Sequence, residues 1–417
     1  MHGLTIFALV VLAFGLGGKS VYGNEDHYPE PLASTRGELT ERLQKAGLST
    51  HAVSAIGGSA REALLLTTIP SDDATIPIGA SKFGGSPDLP RQMGWPIRPA
   101  YDNAAELSKQ FETEAANLYA DAGQAPPWMN EEEGRAYLER RTAMNKKLME
   151  ETRALLSKYD PDGAQLEIPK RDVSEIADHA QELLRQSKAV KEDFPLMFIA
   201  QLDLGELSQN NALDPALPKT GRLLIFYDLP ILPPDFSPAA KAGWKVVYDE
   251  TPSKDLQRAV LPPVLKEFPS SAPLTSAKLQ PQSAVTTMPV MDASYRALEG
   301  MQTDDTQRYR DWLSNLGWPT DRPGVHQLGG WPLLIQPGLQ SRTQLAAHGI
   351  DAGNSEAFDS ADAKALLPEA KAWHLVLQIS TDPAIGYHLP GTLNFIVRDD
   401  DLAQKRFDRA WVVYQQD

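Results

Sequence analysis

Histidine is the side chain on which acid–base chemistry in this chain would depend, because the 417 residues include eight histidines and no cysteine. His326 comes directly before a Gly-Gly turn, and His388 follows Asp382 on a loop between two predicted strands. His326, or His388 with Asp382, is therefore a candidate general acid or base for hydrolysis. A lone histidine also holds turns through backbone hydrogen bonds, and separated His–Asp pairs also decorate loops; these structural interpretations are favoured.

No sequence motif indicates a metal site or a cofactor site. No two histidines have the spacing of a helical zinc site, and neither an HExxH nor a GxSxG pattern occurs. Without cysteine, the chain has no thiolate metal site, cysteine nucleophile, disulfide or lipoprotein anchor. We therefore expect no metal and no cofactor.

Two glutamines stand in runs that otherwise read as apolar strands, Gln201 in the first half of the chain and Gln378 in the second. A buried amide must be hydrogen-bonded. Each glutamine therefore either ties segments of the fold together or contacts a ligand, and the structural role is favoured.

Three tryptophans, Trp95, Trp318 and Trp331, each stand between a glycine and a proline. Exposed indole rings bind sugar rings or peptides, whereas buried ones fill core or turn space. Packing is the favoured interpretation, with ligand binding as the alternative.

The candidate residues belong to motifs that occur twice in the same order. An apolar residue, two glycines, any residue and a proline follow one another at 83–87 and again at 328–332. Each copy precedes a glutamine-bearing run, a strand opened by glycine and a strand with tryptophan. The turns add the candidate binding residues Phe83, Gly84, Gly85, Gln327, Gly329 and Gly330.

The repeat predicts an α+β fold with an internally duplicated, pseudo-twofold antiparallel β-sheet core. Each half would supply a sheet whose apolar face it cannot cover alone, so the two copies pack around a shared core. A groove between the halves is the expected ligand site, because ligands favour domain interfaces.

The first half also contains a highly charged segment with helical periodicity that the second half lacks. Insertions of this kind are more often solvated elaborations or partner-binding arms than catalytic modules. The predicted boundaries are a signal peptide at 1–23, the first half at 24–250 with its helical insertion at about 103–193, a connection at 251–300 and the second half at 301–417.

The N-terminal apolar stretch from Leu4 to Leu16 is too short to span a bilayer, which takes about 20 residues. Residues 21–23 then suit a signal peptidase. The pattern predicts a secretory signal, with an uncleaved anchor as the alternative. We expect a periplasmic or secreted protein with no stable membrane insertion after cleavage.

The net charge of −15, from 40 basic and 55 acidic residues, bears on the partner. Acidity of this size argues against nucleic acid or an anionic membrane surface as the main partner. The expected partner is an unidentified small molecule or a protein.

Several of these motifs together resemble the YwqG-like family: residues 81–90 with Gly94-Trp95-Pro96, then 199–204, 221–228, 326–332, 377–379 and 391–401. The resemblance implies a duplicated antiparallel α+β fold. The family is a bacterial domain of unknown function, sometimes found near secreted-toxin genes, and it supplies no catalytic residues. One departure is Tyr387-His388-Leu389-Pro390, where family members tend to have Trp-Gly-Asp.

The favoured function is that of an exported, non-enzymatic binding protein, because the duplicated scaffold carries no recognisable nucleophile, metal set or cofactor loop. One alternative is an envelope hydrolase. The other is a toxin-neutralising protein that captures its partner through acidic surface such as Glu131–Glu133.

Overall fold

The computed structural model describes residues 30–159, 173–290, 301–316 and 323–416. The predicted signal peptide lies outside these residues, and so do residues 291–300 at the end of the predicted connection. Contacts divide the described chain into two compact units, a helical unit at 103–191 and a sheet unit at 30–102 and 192–416.

The helices are α1 (Arg36–Lys45), α2 (Thr50–Ser59), α3 (Ala104–Asp121), α4 (Glu131–Tyr159), α5 (Val173–Ala189), α6 (Leu204–Leu207), α7 (Thr303–Ser314), α8 (Leu339–Ala347), α9 (Ala361–Leu366) and α10 (Asp399–Ala403). Short 3-10 helices lie between these elements, among them Pro238–Gly243, Pro383–Ile385 and Phe407–Arg409. No helix in the described ranges is long and apolar enough to cross a membrane.

The strands are β1 (Arg61–Pro70), β2 (Lys82–Phe83), β3 (Asp88–Pro90), β4 (Ile97–Arg98), β5 (Phe194–Pro195), β6 (Met197–Asp203), β7 (Arg222–Tyr227), β8 (Trp244–Asp249), β9 (Leu256–Arg258), β10 (Ala277–Thr286), β11 (Val325–Leu328), β12 (Trp373–Asp382), β13 (Tyr387–Arg398) and β14 (Trp411–Gln415). The chain is therefore a mixture of helix and antiparallel sheet, as the sequence predicts.

Side-chain caps fix where two helices begin. Thr35 precedes α1, and its hydroxyl accepts a hydrogen bond from the Glu38 backbone N–H at 3.2 Å. Asn130 precedes α4, and its amide oxygen accepts from the Glu133 backbone N–H at 2.9 Å. Each bond satisfies an N–H group that the helix cannot pair internally.

The helical unit has a core of its own between α3 and α5. Their buried apolar residues form one cluster, which includes Ala115, Tyr119, Ile176, Ala180 and Leu183. The long helix α4 joins α3 through polar contacts, in which the Tyr137 hydroxyl donates to Asn117 at 2.9 Å and Arg141 pairs with Asp121 at 2.7 Å.

The sheet unit contains one ten-stranded antiparallel sheet in the order β14-β13-β12-β11-β1-β10-β2-β6-β7-β8. The central pair, β1 and β10, runs in register from Arg61 opposite Thr286 to Pro70 opposite Ala277. On the side of β1, the sheet continues with β11 to β14, which follow β10 in the chain. On the side of β10, it continues with β2, β6, β7 and β8, which lie between β1 and β10 in the chain. The predicted connection thus supplies a central strand, β10.

The two edge strands of this sheet, β8 and β14, approach each other. The Trp244 and Trp411 rings lie 5.2 Å apart in an edge-to-face arrangement. The Trp244 indole N–H donates to the Ala410 carbonyl at 2.8 Å, and the Lys241 ammonium donates to the same oxygen at 2.7 Å. These contacts leave the sheet nearly closed.

Both faces of the sheet are covered at β7, which explains why this strand reads as an apolar run. All six residues of β7 are buried. Leu224 and Phe226 pack into a cluster with Leu89, Leu196 and Phe198 on one face, whereas the neighbouring Tyr227 meets the Phe395 ring of β13 at 6.5 Å. Successive residues of a strand point to opposite faces, so β7 contributes to two cores.

Candidate functional site

His326 and Asp382, two of the predicted site residues, meet in the interior of the sheet unit. β11 carries His326 and the end of β12 carries Asp382, and the imidazole Nε2 lies 3.3 Å from the carboxylate Oδ2. The Thr68 hydroxyl of β1 donates to the same Oδ2 at 2.6 Å. The His326 residue is 0% exposed and Asp382 is 1% exposed. We call these three residues the His326 cluster.

The hydrogen bonds of the two ring nitrogens fix the tautomer of His326. The Ser380 backbone N–H donates to its Nδ1 at 3.2 Å, so Nδ1 is unprotonated and Nε2 carries the hydrogen that faces Asp382. Burial lowers the pKa of His326, and the neighbouring Asp382 only partly opposes that effect. The imidazole is therefore neutral at pH 7 and already uses both nitrogens.

The carboxyl of Asp382 is held ionised. Burial alone would raise its pKa, but hydrogen bonds from His326 and Thr68 outweigh burial and keep the pKa below its ordinary value. The Phe83 ring stacks on the imidazole at 4.3 Å with 14° between the planes. The His326 cluster is thus a closed hydrogen-bonded core without a side open to a substrate.

The structure pairs Asp382 with His326 and not with His388. His388 is exposed, whereas its neighbour Tyr387 is buried and stands opposite Asp382 in the hairpin of β12 and β13. Adjacent strand residues face opposite sides, so His388 points away from the carboxylate. His388 therefore lies in strand β13 and not on the predicted loop, and the structure does not bring it to Asp382 as an acid–base pair.

The two predicted glutamines hold the Gly-Gly turns. The Gln201 side-chain oxygen accepts from the Asp88 backbone N–H at 2.8 Å, and the Gln378 side-chain oxygen accepts from the Leu333 backbone N–H at 3.1 Å. The Gln378 amide also donates to the Leu333 carbonyl at 2.8 Å. Both side chains are buried, so they tie turns to strands, which was the favoured interpretation.

The glycines of these turns donate to groups of the chain itself. The Gly84 N–H donates to the Ile199 carbonyl and the Gly329 N–H to the Val376 carbonyl, both at 2.9 Å. The next residues, Gly85 and Gly330, donate to the Leu274 carbonyl and the Asp214 carboxylate, both at 2.8 Å. Gln327 closes the second turn by donating to the Gly329 and Trp331 carbonyls.

Two of the three tryptophans, Trp95 and Trp331, are packing residues, and Trp318 lies outside the described residues. The Trp95 indole donates to the Leu196 carbonyl at 2.8 Å and its ring meets Phe226 edge to face. The Trp331 indole donates to the Ser59 carbonyl at 2.7 Å, and the residue is only 3% exposed.

A second ionic group, which no sequence pattern predicts, is centred on the buried His374. The His374 imidazole Nε2 lies 2.8 Å from the Asp214 carboxylate, and its Nδ1 lies 3.2 Å from the Asp399 carboxylate. Burial by itself would lower the pKa of His374, but the hydrogen bonds to Asp214 and Asp399 raise it above its ordinary value. Asp214 and His374 are 160 positions apart, and no local pattern links them.

Metal coordination has no candidate in the described ranges, where no group of three or more histidine or acidic side chains could hold an ion. Apart from the exposed His388, the predicted site residues form turns, core contacts or the hydrogen bond between His326 and Asp382.

Comparison with known proteins gives a family. The chain has no significant match among curated proteins. A family model described as "Domain of unknown function (DUF1963)" matches residues 81–415, which include the whole ten-stranded sheet except β1. Because that match covers well over half of the sequence, the chain belongs to the DUF1963 family, a domain of unknown function.

Proposed function

We propose that this chain is a non-enzymatic binding protein that takes a small molecule or a protein as its partner. The observation that carries the proposal is the state of His326. Its imidazole is 0% exposed, and each ring nitrogen already has a partner within the chain. A general base must reach the proton that it abstracts, and His326 reaches only its own chain.

We also propose that the sheet arose by internal duplication and that the chain is YwqG-like. Equivalent hydrogen bonds in the two halves support this. The Lys82 ammonium donates to the Ser86 carbonyl at 2.5 Å, and Gln327, which takes the place of Lys82, donates to the Trp331 carbonyl at 2.8 Å. The Gly84 and Gly329 N–H bonds and the two turn-holding glutamines match in the same way.

We further propose that the protein is exported to the periplasm or secreted, with residues 1–23 as its signal. Support comes from the apolar stretch at 4–16 and from the absence of cysteine. The acidic balance of the chain favours a partner other than nucleic acid.

The alternative of toxin neutralisation rests on one surface feature. Glu131, Glu132 and Glu133 form the first turn of α4, and all three are exposed. A basic protein partner would complement this charge. Replacing the three glutamates by glutamine should then abolish capture of that partner while the thermal stability changes little.

The test of the binding proposal is native mass spectrometry of the full-length protein purified gently from the envelope fraction. We expect a reproducible additional mass, and its size separates a small molecule from a protein. A chain that carries no additional mass in repeated preparations would contradict the proposal. Recovery from the cytoplasmic fraction with residues 1–23 intact would contradict export.

A further inference from the structure

His374 lies in β12 with a carboxylate at each of its two ring nitrogens. Nε2 lies 2.8 Å from an oxygen of Asp214, and Nδ1 lies 3.2 Å from an oxygen of Asp399. A neutral imidazole has one N–H, whereas the protonated ring has two. Both hydrogen bonds therefore form only while the ring is protonated, and one of them is lost when the ring becomes neutral.

The two carboxylates differ in their access to water. The side chain of Asp214 is 2% exposed, whereas that of Asp399 is 55% exposed. A buried carboxylate without a donor costs more free energy than one that water can hydrate. The neutral ring therefore keeps its Nε2–H on Asp214, and its unprotonated Nδ1 then faces the Asp399 carboxylate as acceptor against acceptor. Asp399 is thus the partner that deprotonation releases.

Three charged groups act on the imidazole: Asp214 from the segment between α6 and β7, Asp399 from α10 and Arg61 from β1. Burial and the Arg61 charge lower the pKa of His374, but the hydrogen bonds to the two carboxylates outweigh both and leave the pKa above its ordinary value. The contact with Asp399 is therefore complete below the ordinary value of about 6.5, and it is lost as the pH rises through the folded-state value.

Asp399 is the first residue of the segment 399–410, which connects β13 to β14 and which we call the strap. The strap runs along β8, the strand that ends the ten-stranded sheet on one side. The Phe407 ring of the strap stacks on the Tyr248 ring of β8 at 5.7 Å, with 21° between the planes. The strap thus covers the edge of β8 that no other strand of the described chain pairs.

The strap is anchored at its end and strained in its middle. Its Ala410 carbonyl accepts from the Trp244 indole at 2.8 Å. Lys405 adopts a φ of 58°, a left-handed conformation that non-glycine residues keep only where their surroundings enforce it. The Lys405 ammonium lies 2.8 Å from the Glu250 carboxylate, but both side chains are exposed and such pairs stabilise little. Loss of the Asp399 contact therefore loosens the beginning of the strap, while Trp244 keeps its end in place.

We propose that His374 and Asp399 form a pH-dependent latch, which holds the strap on β8 while the imidazole is protonated and loosens it when the imidazole is neutral. The latch thereby sets how often the edge of β8 is open to solvent. The inference goes beyond the proposed binding function and does not depend on it.

Hydrogen–deuterium exchange of the full-length protein, followed by mass spectrometry of its peptides, tests the latch at about pH 5.5 and about pH 8.5. Labelling times are scaled to the intrinsic exchange rate at each pH. We expect the protection of the strap to be about two- to fivefold lower at the higher pH, the range for an exposed charge pair. Peptides from α7, which packs in the cluster around Tyr309, should show no such change.

Asp399→Asn carries the test, because an amide oxygen accepts from the protonated ring and an amide N–H donates to the neutral ring. The strap of this variant should be equally protected at the two pH values. Asp400→Asn is the matched control, since it removes the same charge from the next exposed residue of α10. It should keep the pH dependence of the unmodified protein. His374→Gln should lose that dependence.

Three outcomes would overturn the latch. One is equal protection of the strap at both pH values in the unmodified protein. Another is a loss of pH dependence in Asp400→Asn as large as in Asp399→Asn, which would mean a general effect of charge on α10. The third is an equal change in the α7 peptides, which would mean that the pH acts on the stability of the whole sheet unit.

Discussion

His326 lies in β11 and His388 lies in β13 of the same sheet, yet His326 is buried and His388 is exposed. His326 stands between Asp382, Ser380 and the Phe83 ring. Its role follows from these contacts, because a neutral imidazole with Nε2–H supplies the hydrogen bond that a buried carboxylate requires. His388 is exposed and has no such role.

Replacement of His326 should therefore destabilise the fold. We expect His326→Ala to lower the free energy of unfolding by about 3–5 kcal/mol, because it leaves Asp382 buried without its partner and opens a cavity. His388→Ala should change it by no more than about 0.5 kcal/mol. Urea denaturation measures both. A His326→Ala protein as stable as the parent would reopen a catalytic role for this residue.

His374 makes a pH-dependent contribution to stability. Its pKa is raised in the folded state, so its contribution is complete below the unfolded pKa of about 6.5 and is lost as the pH rises through the folded value. Its partner Asp214 has a lowered pKa, so that carboxyl stays ionised across this window. The stability difference between the parent and His374→Gln should be larger at about pH 5.5 than at about pH 8.5.

Urea denaturation at several pH values measures this difference. His388→Gln is the control, and its stability should follow that of the parent at each pH. A His374→Gln deficit that stays constant with pH would mean that the imidazole acts only through packing.

At the scale of elements, the Gly-Gly turns fix how strands and loops meet. Gly84 has a φ of +60°, and a side chain there would place its Cβ 2.3 Å from the Thr275 carbonyl oxygen. The turn therefore needs glycine both for its left-handed conformation and for the close approach of the next segment.

Gly84→Ala should cost about 3 kcal/mol or more, because the left-handed strain of about 1–2 kcal/mol adds to a backbone clash. Gly386→Ala is the matched control, since Gly386 has a φ of +82° and nothing within 4 Å of the added Cβ. That change should cost only the strain. Thermal melts of the two variants give the comparison, and equal losses would show that the clash is relieved without cost.

On the scale of the whole molecule, closure of the sheet depends on the two tryptophans at its edges. Trp244 donates to the Ala410 carbonyl, and Trp411 donates to the Asp235 carbonyl, both at 2.8 Å. The two indoles thus join each edge strand to the segment that precedes the opposite one, and their rings contact each other.

A double-mutant cycle with Trp244→Leu and Trp411→Leu should give a coupling free energy of about 0.5–1.5 kcal/mol in urea denaturation, as for other aromatic pairs. The control cycle pairs Trp411→Leu with Trp95→Leu, because the Trp95 ring packs on Phe226 instead. In this control cycle, the effects of the two substitutions on the free energy of unfolding should add to within about 0.5 kcal/mol. Additive effects at Trp244 and Trp411 would mean that the edges are held together by other contacts.

The sequence by itself determined the local elements and their turns. The helix after Thr35, the strands β7 and β8 and the turn-holding Gln201 and Gln378 follow from neighbouring residues, because capping, periodicity and amide burial act over a few positions.

The tertiary structure alone decided the partners of the charged and polar groups. His326 meets Asp382 across 56 positions, and His374 meets Asp214 across 160, because strand register and sheet order bring them together. Tyr227 reads as an ordinary strand residue and Tyr387 as part of a loop before the strand that Gly391 opens, and only the nearly closed sheet makes both interior. Side-chain periodicity tells which residues are buried, but burial beside a particular partner depends on contacts between distant segments.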